Sequence, residues 1–260
     1  MKPQVEWKLA PVRGIEIYNS DVVVKRYGHK NHSSPGKRGK VKEFSLPARK
    51  RLAFVAANTS IDFTAMITLT YPEDYPQNGR ESKAHRKQFL WWLKHGPWAL
   101  GTYLWFIEFQ KRGAPHYHIL LLERVGNAAS FRRFQWDVAH AWNGIIDGDS
   151  VHLRQGTHTE RLRSSEGGRH YCVKYAQKMR QKIVPAAYEN VGRFYGYSRD
   201  VKPQPAMELT IGWEGLKRLL GSWEYLPDNQ QDLYRVLFNT AGTVAANAVQ
   251  MGLGIDNHNA

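Results

Sequence analysis

The sequence predicts an α+β fold in which an antiparallel sheet is backed by helices. Three observations carry this expectation. Strand-like apolar segments alternate with segments of helical period in the order β-α-β-β-α-β. A Gly/Pro-containing turn joins two of the strands as a hairpin. The 260 residues allow one core of good size with appendages, and nothing repeats internally.

The elements follow in order. Phe44-Ser45 and the basic Arg49-Lys50-Arg51-Leu52 lead through a helix near residues 46–57. Met66-Ile67-Thr68-Leu69-Thr70 is rich in strand formers and reads as a strand over 64–70, with Tyr71 and Tyr75 just after it expected to be exposed for base contact. Residues 82–95 form an amphipathic helix with Phe89, Trp92 and Leu93 toward a sheet. Strands over 103–110 and 116–123 flank the turn Lys111-Arg112-Gly113-Ala114-Pro115. A helix over 130–144, a strand over 150–155 and a helix over 168–183 complete the series. That last helix carries an apolar stripe at Cys172, Ala176, Met179 and Ile183. The order is the split βαβ arrangement of ferredoxin-like domains with one helix appended.

Outside this core, residues 1–45 read as a basic, partly flexible extension and residues 206–260 as a helical tail. From Val22 to Lys42 there is no acid but seven Lys or Arg among glycines and serines, a one-signed arm suited to phosphate through Lys37, Arg38 and Lys40. The tail has small and apolar residues from Gln230 to Gly252. Packing on the core is the commoner use of such a face, and a homo-oligomer contact the other. Thirty-seven basic against twenty-three acidic residues give a net charge of +14, and the pI is near 9.8, which points to a polyphosphate partner. Trp91, Trp92, Trp98, Trp105, Trp136 and Trp142 supply core and some stacking surface. A single cysteine excludes an internal disulfide, and no apolar run is long enough to span a bilayer, so a cytoplasmic location without membrane contact is expected.

The chemistry centres on Pro115-His116-Tyr117-His118-Ile119. Side chains alternate along a strand, so both imidazoles share one face. Two neighbouring histidines are more often structural or solvated than catalytic, and imidazole suits several divalent metals. With all five turn residues in the loop, Gln110 falls opposite His116 and Glu108 opposite His118. An acid inside an otherwise apolar strand needs a partner or a metal, which makes Glu108 the third ligand, with Gln110 in reserve. On the last helix Tyr171, Lys174, Tyr175 and Lys178 share a face at offsets of three, four and seven. A phenol is a poor nucleophile until its proton leaves, and nearby positive charge favours the phenolate.

The ordered set Glu108, His116-Tyr117-His118 and Tyr171-Cys172-Val173-Lys174-Tyr175 resembles the HUH endonucleases that initiate rolling-circle replication, in the two-tyrosine form of single-stranded-DNA phages. Met66-Ile67-Thr68-Leu69-Thr70-Tyr71-Pro72 resembles the first motif of filamentous-phage initiators, and Gly192-Arg193-Phe194-Tyr195-Gly196-Tyr197-Ser198-Arg199 their post-tyrosine segment. The resemblance covers roughly residues 44–200, and Tyr117 fills a slot usually held by an aliphatic or other bulky apolar residue.

The resemblance implies a Mg²⁺- or Mn²⁺-dependent nicking of single-stranded DNA at a replication origin, with or without a hairpin. His116, His118 and Glu108 would hold the ion. Tyr171 would cleave first, leaving a 5′-phosphotyrosine and a free 3′-hydroxyl for the host helicase and polymerase, and Tyr175 would serve the transfer that closes the circle. Lys174 would act near the scissile phosphate, while Lys178 and Arg112 would touch backbone phosphate. A noncatalytic DNA-binding regulator on the same scaffold and a single-tyrosine transposase are the alternatives. A histidine-pair phosphodiesterase is excluded because His158-Thr159-Glu160 and His152-Leu153-Arg154 lack its His-x-Ser/Thr signatures.

Overall fold

A computed structural model describes residues 12–26, 40, 43–177 and 184–210. Packing divides the chain into two units, residues 1–37 with 203–260, and residues 38–202.

In the first unit, strands β1 (Val12–Ile17) and β2 (Val22–Arg26) form a hairpin closed by the Tyr18 N–H donating to the Asp21 carbonyl, 2.8 Å. A third short strand, Met207–Leu209, pairs antiparallel to β1 on its other side, so the spatial order is β2, β1, then this strand. Gly14 is required by that neighbour: a Cβ there would lie 2.3 Å from the Leu209 carbonyl oxygen. The basic arm expected from Val22 therefore begins as a paired strand, because Val22-Val23-Val24 has the β-branched character a ladder takes. The rest of the arm, including Lys37 and Arg38, and the tail from residue 211 lie outside the described residues.

The second unit is the α+β core the sequence predicts. Helix α1 (Leu46–Asn58) precedes β3 (Ala65–Thr70), α2 (Gly79–His95), β4 (Tyr103–Phe109), β5 (Pro115–Leu121), α3 (Ala128–Ile145), α4 (Ser150–Gln155), β6 (Thr157–Arg161), α5 (Ser165–Gln177) and β7 (Tyr195–Tyr197). The Met207–Leu209 strand of the first unit is then β8. The five-stranded sheet runs β6-β3-β5-β4-β7, antiparallel at every pairing. β5 lies between β3 and β4, which is the split βαβ arrangement, and β7 extends the β4 edge.

One expected element is wrong in type. Residues 150–155 form helix α4 and not a strand, because the Asp149 carboxylate caps it by accepting from the His152 N–H, 2.7 Å. The strand comes just after it, where Thr157 and Thr159 supply β-branched positions.

The sheet's two faces are covered differently. Tyr117, Ile119, Trp105 and Ile107 point to α2 and α3, where Phe89 of α2 meets Trp142 of α3 edge to face at 5.9 Å. Caps of Asn78 and Asn127 start these two helices by accepting from backbone N–H groups of their first turns. The opposite face carries His116, His118, Phe106 and Glu108, and α5 packs over it beside α1. Cys172 is buried on the apolar stripe of α5 as expected, and burial pushes its thiol pKa up. Among the described residues no helix is long and apolar enough to cross a membrane.

Candidate metal and tyrosine site

The hairpin turn sets the register. Gln110 donates its N–H to the Ala114 carbonyl at 2.9 Å, Gly113 donates to the Gln110 carbonyl at 2.8 Å, and Gly113 sits at φ +86°, a left-handed turn position that suits glycine. The loop is therefore tighter than five residues. Glu108 lies opposite His116, and Phe106 opposite His118. Relative to the expected pairing of Glu108 with His118 the register is shifted by two residues; a two-residue shift preserves the face, whereas a one-residue slip would turn Glu108 away. The carboxylate instead reaches His118 diagonally, with its Oε2 3.2 Å from His118 Nε2.

Each imidazole is also held from β3. Thr68 is paired with His118 and Thr70 with His116, and each threonine Oγ1 lies 3.2 Å from the Nδ1 of its partner. Gln110 Nε2 adds a second contact to His116 Nδ1 at 3.3 Å. Both rings thus engage through Nδ1, which leaves Nε2 as the remaining nitrogen of each; that of His118 meets Glu108. The two rings sit 4.6 Å apart. Burial, with His118 beside it, lowers the His116 pKa to about 4, which keeps the ring neutral at physiological pH, the form that ligates metal.

Two imidazoles and a carboxylate backed by threonine hydroxyls are a donor set that fits a divalent cation. As the side chains stand, Glu108 and His118 hydrogen-bond to each other, and among the described residues no three His, Cys, Asp or Glu are gathered as a cage. A cation would replace that hydrogen bond. Thr68 tolerates the change because a hydroxyl donates to or accepts from Nδ1 equally well.

Tyr171 of α5 is half-buried over this cluster. Its ring lies edge-on to His118 with centroids 5.6 Å apart, and 6.1 Å from Phe106. Burial first, and the negative charge of Glu108 second, push its phenol up to about 12. The protein's own residues therefore keep this phenol protonated at neutral pH, contrary to the expectation that nearby positive charge favours the phenolate.

The other candidate residues scatter. Lys174 is exposed on α5, one turn beyond Tyr171. Tyr175 belongs to the same helix, but its side chain, like all of Lys178, lies outside the described residues. Tyr71 is buried, only 2 % exposed, with its hydroxyl 3.1 Å from His85 Nδ1 and its ring against Trp142; it cannot stack on a base as expected. Arg112 spends four donor contacts inside the protein, on the carbonyls of Tyr71, Pro72 and Glu73 and on Gln110 Oε1, and lies over the Tyr75 ring. It clips the hairpin turn to the loop after β3. Lys40 is exposed and pairs with Glu189 at 3.0 Å.

Thr68, Thr70 and His152 are site residues that sequence reasoning does not single out. His152 Nε2 and Trp142 Nε1 both donate to the Thr70 carbonyl, each at 2.8 Å, fixing the end of β3 that holds His116. Alternation along Thr68-Leu69-Thr70 puts both hydroxyls on one face, but only the strand pairing says that this face meets the histidines.

Residues 64–180, just under half of the chain, match the model of the replication-associated protein family that is described under the label ORF2. The matched stretch runs from β3 into the end of α5 and so contains Glu108, both histidines, Tyr171 and Tyr175; it supports a replication initiator in general terms. No curated protein and no solved structure matches the chain.

Proposed function

We propose that this chain initiates rolling-circle replication by nicking single-stranded DNA at an origin through metal-assisted tyrosine transesterification, and later rejoins the circle. The observation that carries this reading is the Tyr171 ring edge-on to His118, which is itself held by Thr68 and Glu108. A phenol over a two-histidine, one-carboxylate cluster is the pairing such a reaction needs.

In the reaction the Tyr171 oxygen bonds to the scissile phosphorus as the bond from phosphorus to the 3′-oxygen breaks. The phenol loses its proton and the departing 3′-oxygen takes one up, so no cofactor nucleotide is consumed and the phosphodiester energy is stored in the protein–DNA link. Mg²⁺ or Mn²⁺ bound by His116, His118 and Glu108 would polarise a nonbridging phosphate oxygen and favour the phenolate. His116 contributes as a neutral ligand, Thr68 and Thr70 orient the rings, and exposed Lys174 offers positive charge to the phosphate. Tyr175, one helical turn on, is assigned the closing transfer. The host helicase and polymerase would use the free 3′-hydroxyl.

The test is to incubate the full chain with origin-bearing single strand and Mg²⁺ or Mn²⁺ and look for a covalent protein–DNA adduct. It should form with the native chain and vanish in Tyr171→Phe, Tyr175→Phe. An adduct that survives the double substitution overturns the nucleophile assignment, and DNA binding with no adduct under any metal favours a noncatalytic regulator.

A further inference from the structure

The outer surface of the helical layer, on the far side of the sheet from His116 and His118, repeats one pattern twice. On α2 it is Lys87, Trp91 and His95, and on α3 it is Arg132, Trp136 and His140, each spaced i, i+4, i+8. The buried stripes of these helices, Ser82, Arg86, Phe89, Leu90 and Leu93 on one and Phe131, Phe134, Val138 and Trp142 on the other, put both ladders on the opposite side, pointing directly away from the sheet. Trp91 is 63 % exposed and Trp136 51 %, large apolar rings that the fold leaves in water.

The two ladders are built alike in detail. The His95 ring lies 5.0 Å from that of Trp91 with its Nδ1 3.0 Å from the Trp91 carbonyl oxygen, and the His140 ring lies 3.5 Å from that of Trp136 with its Nδ1 2.9 Å from the Trp136 carbonyl oxygen. The Arg133 guanidinium sits 4.6 Å from the Trp136 centroid. Each indole is thus held by helical neighbours while much of its surface stays open. The charge around them has one sign. From Ser82 to Ile107 there is no acid, and Asp137, the only acid of α3, is already engaged by Arg133 and Trp98.

We infer that this surface is a second binding site, for single-stranded nucleic acid, with unpaired bases stacked on Trp91 and Trp136 and the backbone phosphates drawn to Lys87 and Arg132. Exposed indoles interleaved with cations are what a single strand takes, since every base offers a ring face and every nucleotide a negative charge. A duplex hides its bases and would meet the charges alone. The site does not depend on the nicking chemistry, because it lies on the other face of the sheet. It would hold the displaced or incoming strand away from the reacting phosphate.

The test is fluorescence anisotropy of a labelled oligothymidylate of about 20 nucleotides with the full chain, in chelator so that cleavage is off. Trp91→Ala, Trp136→Ala should weaken binding about tenfold or more, while Trp91→Phe, Trp136→Phe keeps most of the affinity. Lys87→Glu, Arg132→Glu should weaken it too and lower the salt dependence. Both tryptophans are exposed, so thermal stability should hold; if the alanine pair fails to fold, the charge-reversal pair decides. Unchanged single-strand affinity in a folded variant overturns the inference. So does an equal loss for duplex of the same length. Loss of self-association with DNA affinity intact would reassign the face to a second copy of the chain.

Discussion

The Tyr171 and His118 rings meet edge to face, their centroids 5.6 Å apart, although fifty-three positions of chain separate them. Cys172, the next residue of α5, is buried, so the tyrosine is held by an anchored helix and not by a loop.

Tyr171→Phe should abolish the first covalent adduct while leaving the fold intact, because the phenyl ring keeps its packing on His118 and Phe106. Thermal unfolding and adduct formation measured on the same preparation separate the two effects. An adduct that persists in Tyr171→Phe but disappears in Tyr175→Phe would exchange the roles of the two tyrosines.

Thr68→Val removes the hydroxyl 3.2 Å from His118 Nδ1. It should cost about 1 kcal/mol of stability and weaken Mn²⁺ binding by roughly ten- to a hundredfold, as read by titration calorimetry. Unaltered Mn²⁺ affinity would remove Thr68 from the site.

Arg112→Ala should lower stability by about 2–3 kcal/mol, since three backbone carbonyls and Gln110 lose their donor. The salt dependence of DNA binding should stay the same, because the guanidinium is committed within the protein. A slope reduced by about one would instead show a phosphate contact.

Tyr71→Phe deletes the hydroxyl contact to His85 in a buried position and should cost about 1 kcal/mol. Single-strand affinity should not move. A marked drop would mean that the ring leaves the core to reach DNA.

The His116 pKa lies near 4 in the folded chain, below the ordinary 6.5, so between these values the unfolded chain binds more protons. Stability is therefore complete above about pH 6.5 and declines as pH falls toward 4, by at most roughly 3 kcal/mol from this group. His116→Gln should flatten that acid limb in denaturant titrations at pH 7, 5.5 and 4.5. An identical slope in the variant would contradict the buried, neutral ring.

Much of the core is legible in the sequence because its signals are local. The Phe89 and Leu93 stripe marks α2, and the Gly113 turn between two apolar runs marks the hairpin. The strand expected at 150–155 does not form because a six-residue apolar pattern does not choose between helix and strand, and the Asp149 cap decides for helix. Following directly after a strand suggests exposure for Tyr71. Its burial depends on Trp142, seventy-one positions away, packing across it.

By itself, then, the sequence determined that His116 and His118 share a face and that Tyr171 and Tyr175 lie one turn apart on a helix. Those relations follow from the repeat of a single element, which steric limits on the backbone fix wherever the element sits. The tertiary structure alone decided that Glu108 reaches His118 diagonally, that Thr68 and Thr70 back the rings, that Arg112 is a clip, and that Tyr171 stays protonated. These depend on loop closure, cross-strand register and burial, which join residues far apart in the chain and leave no period in it to read.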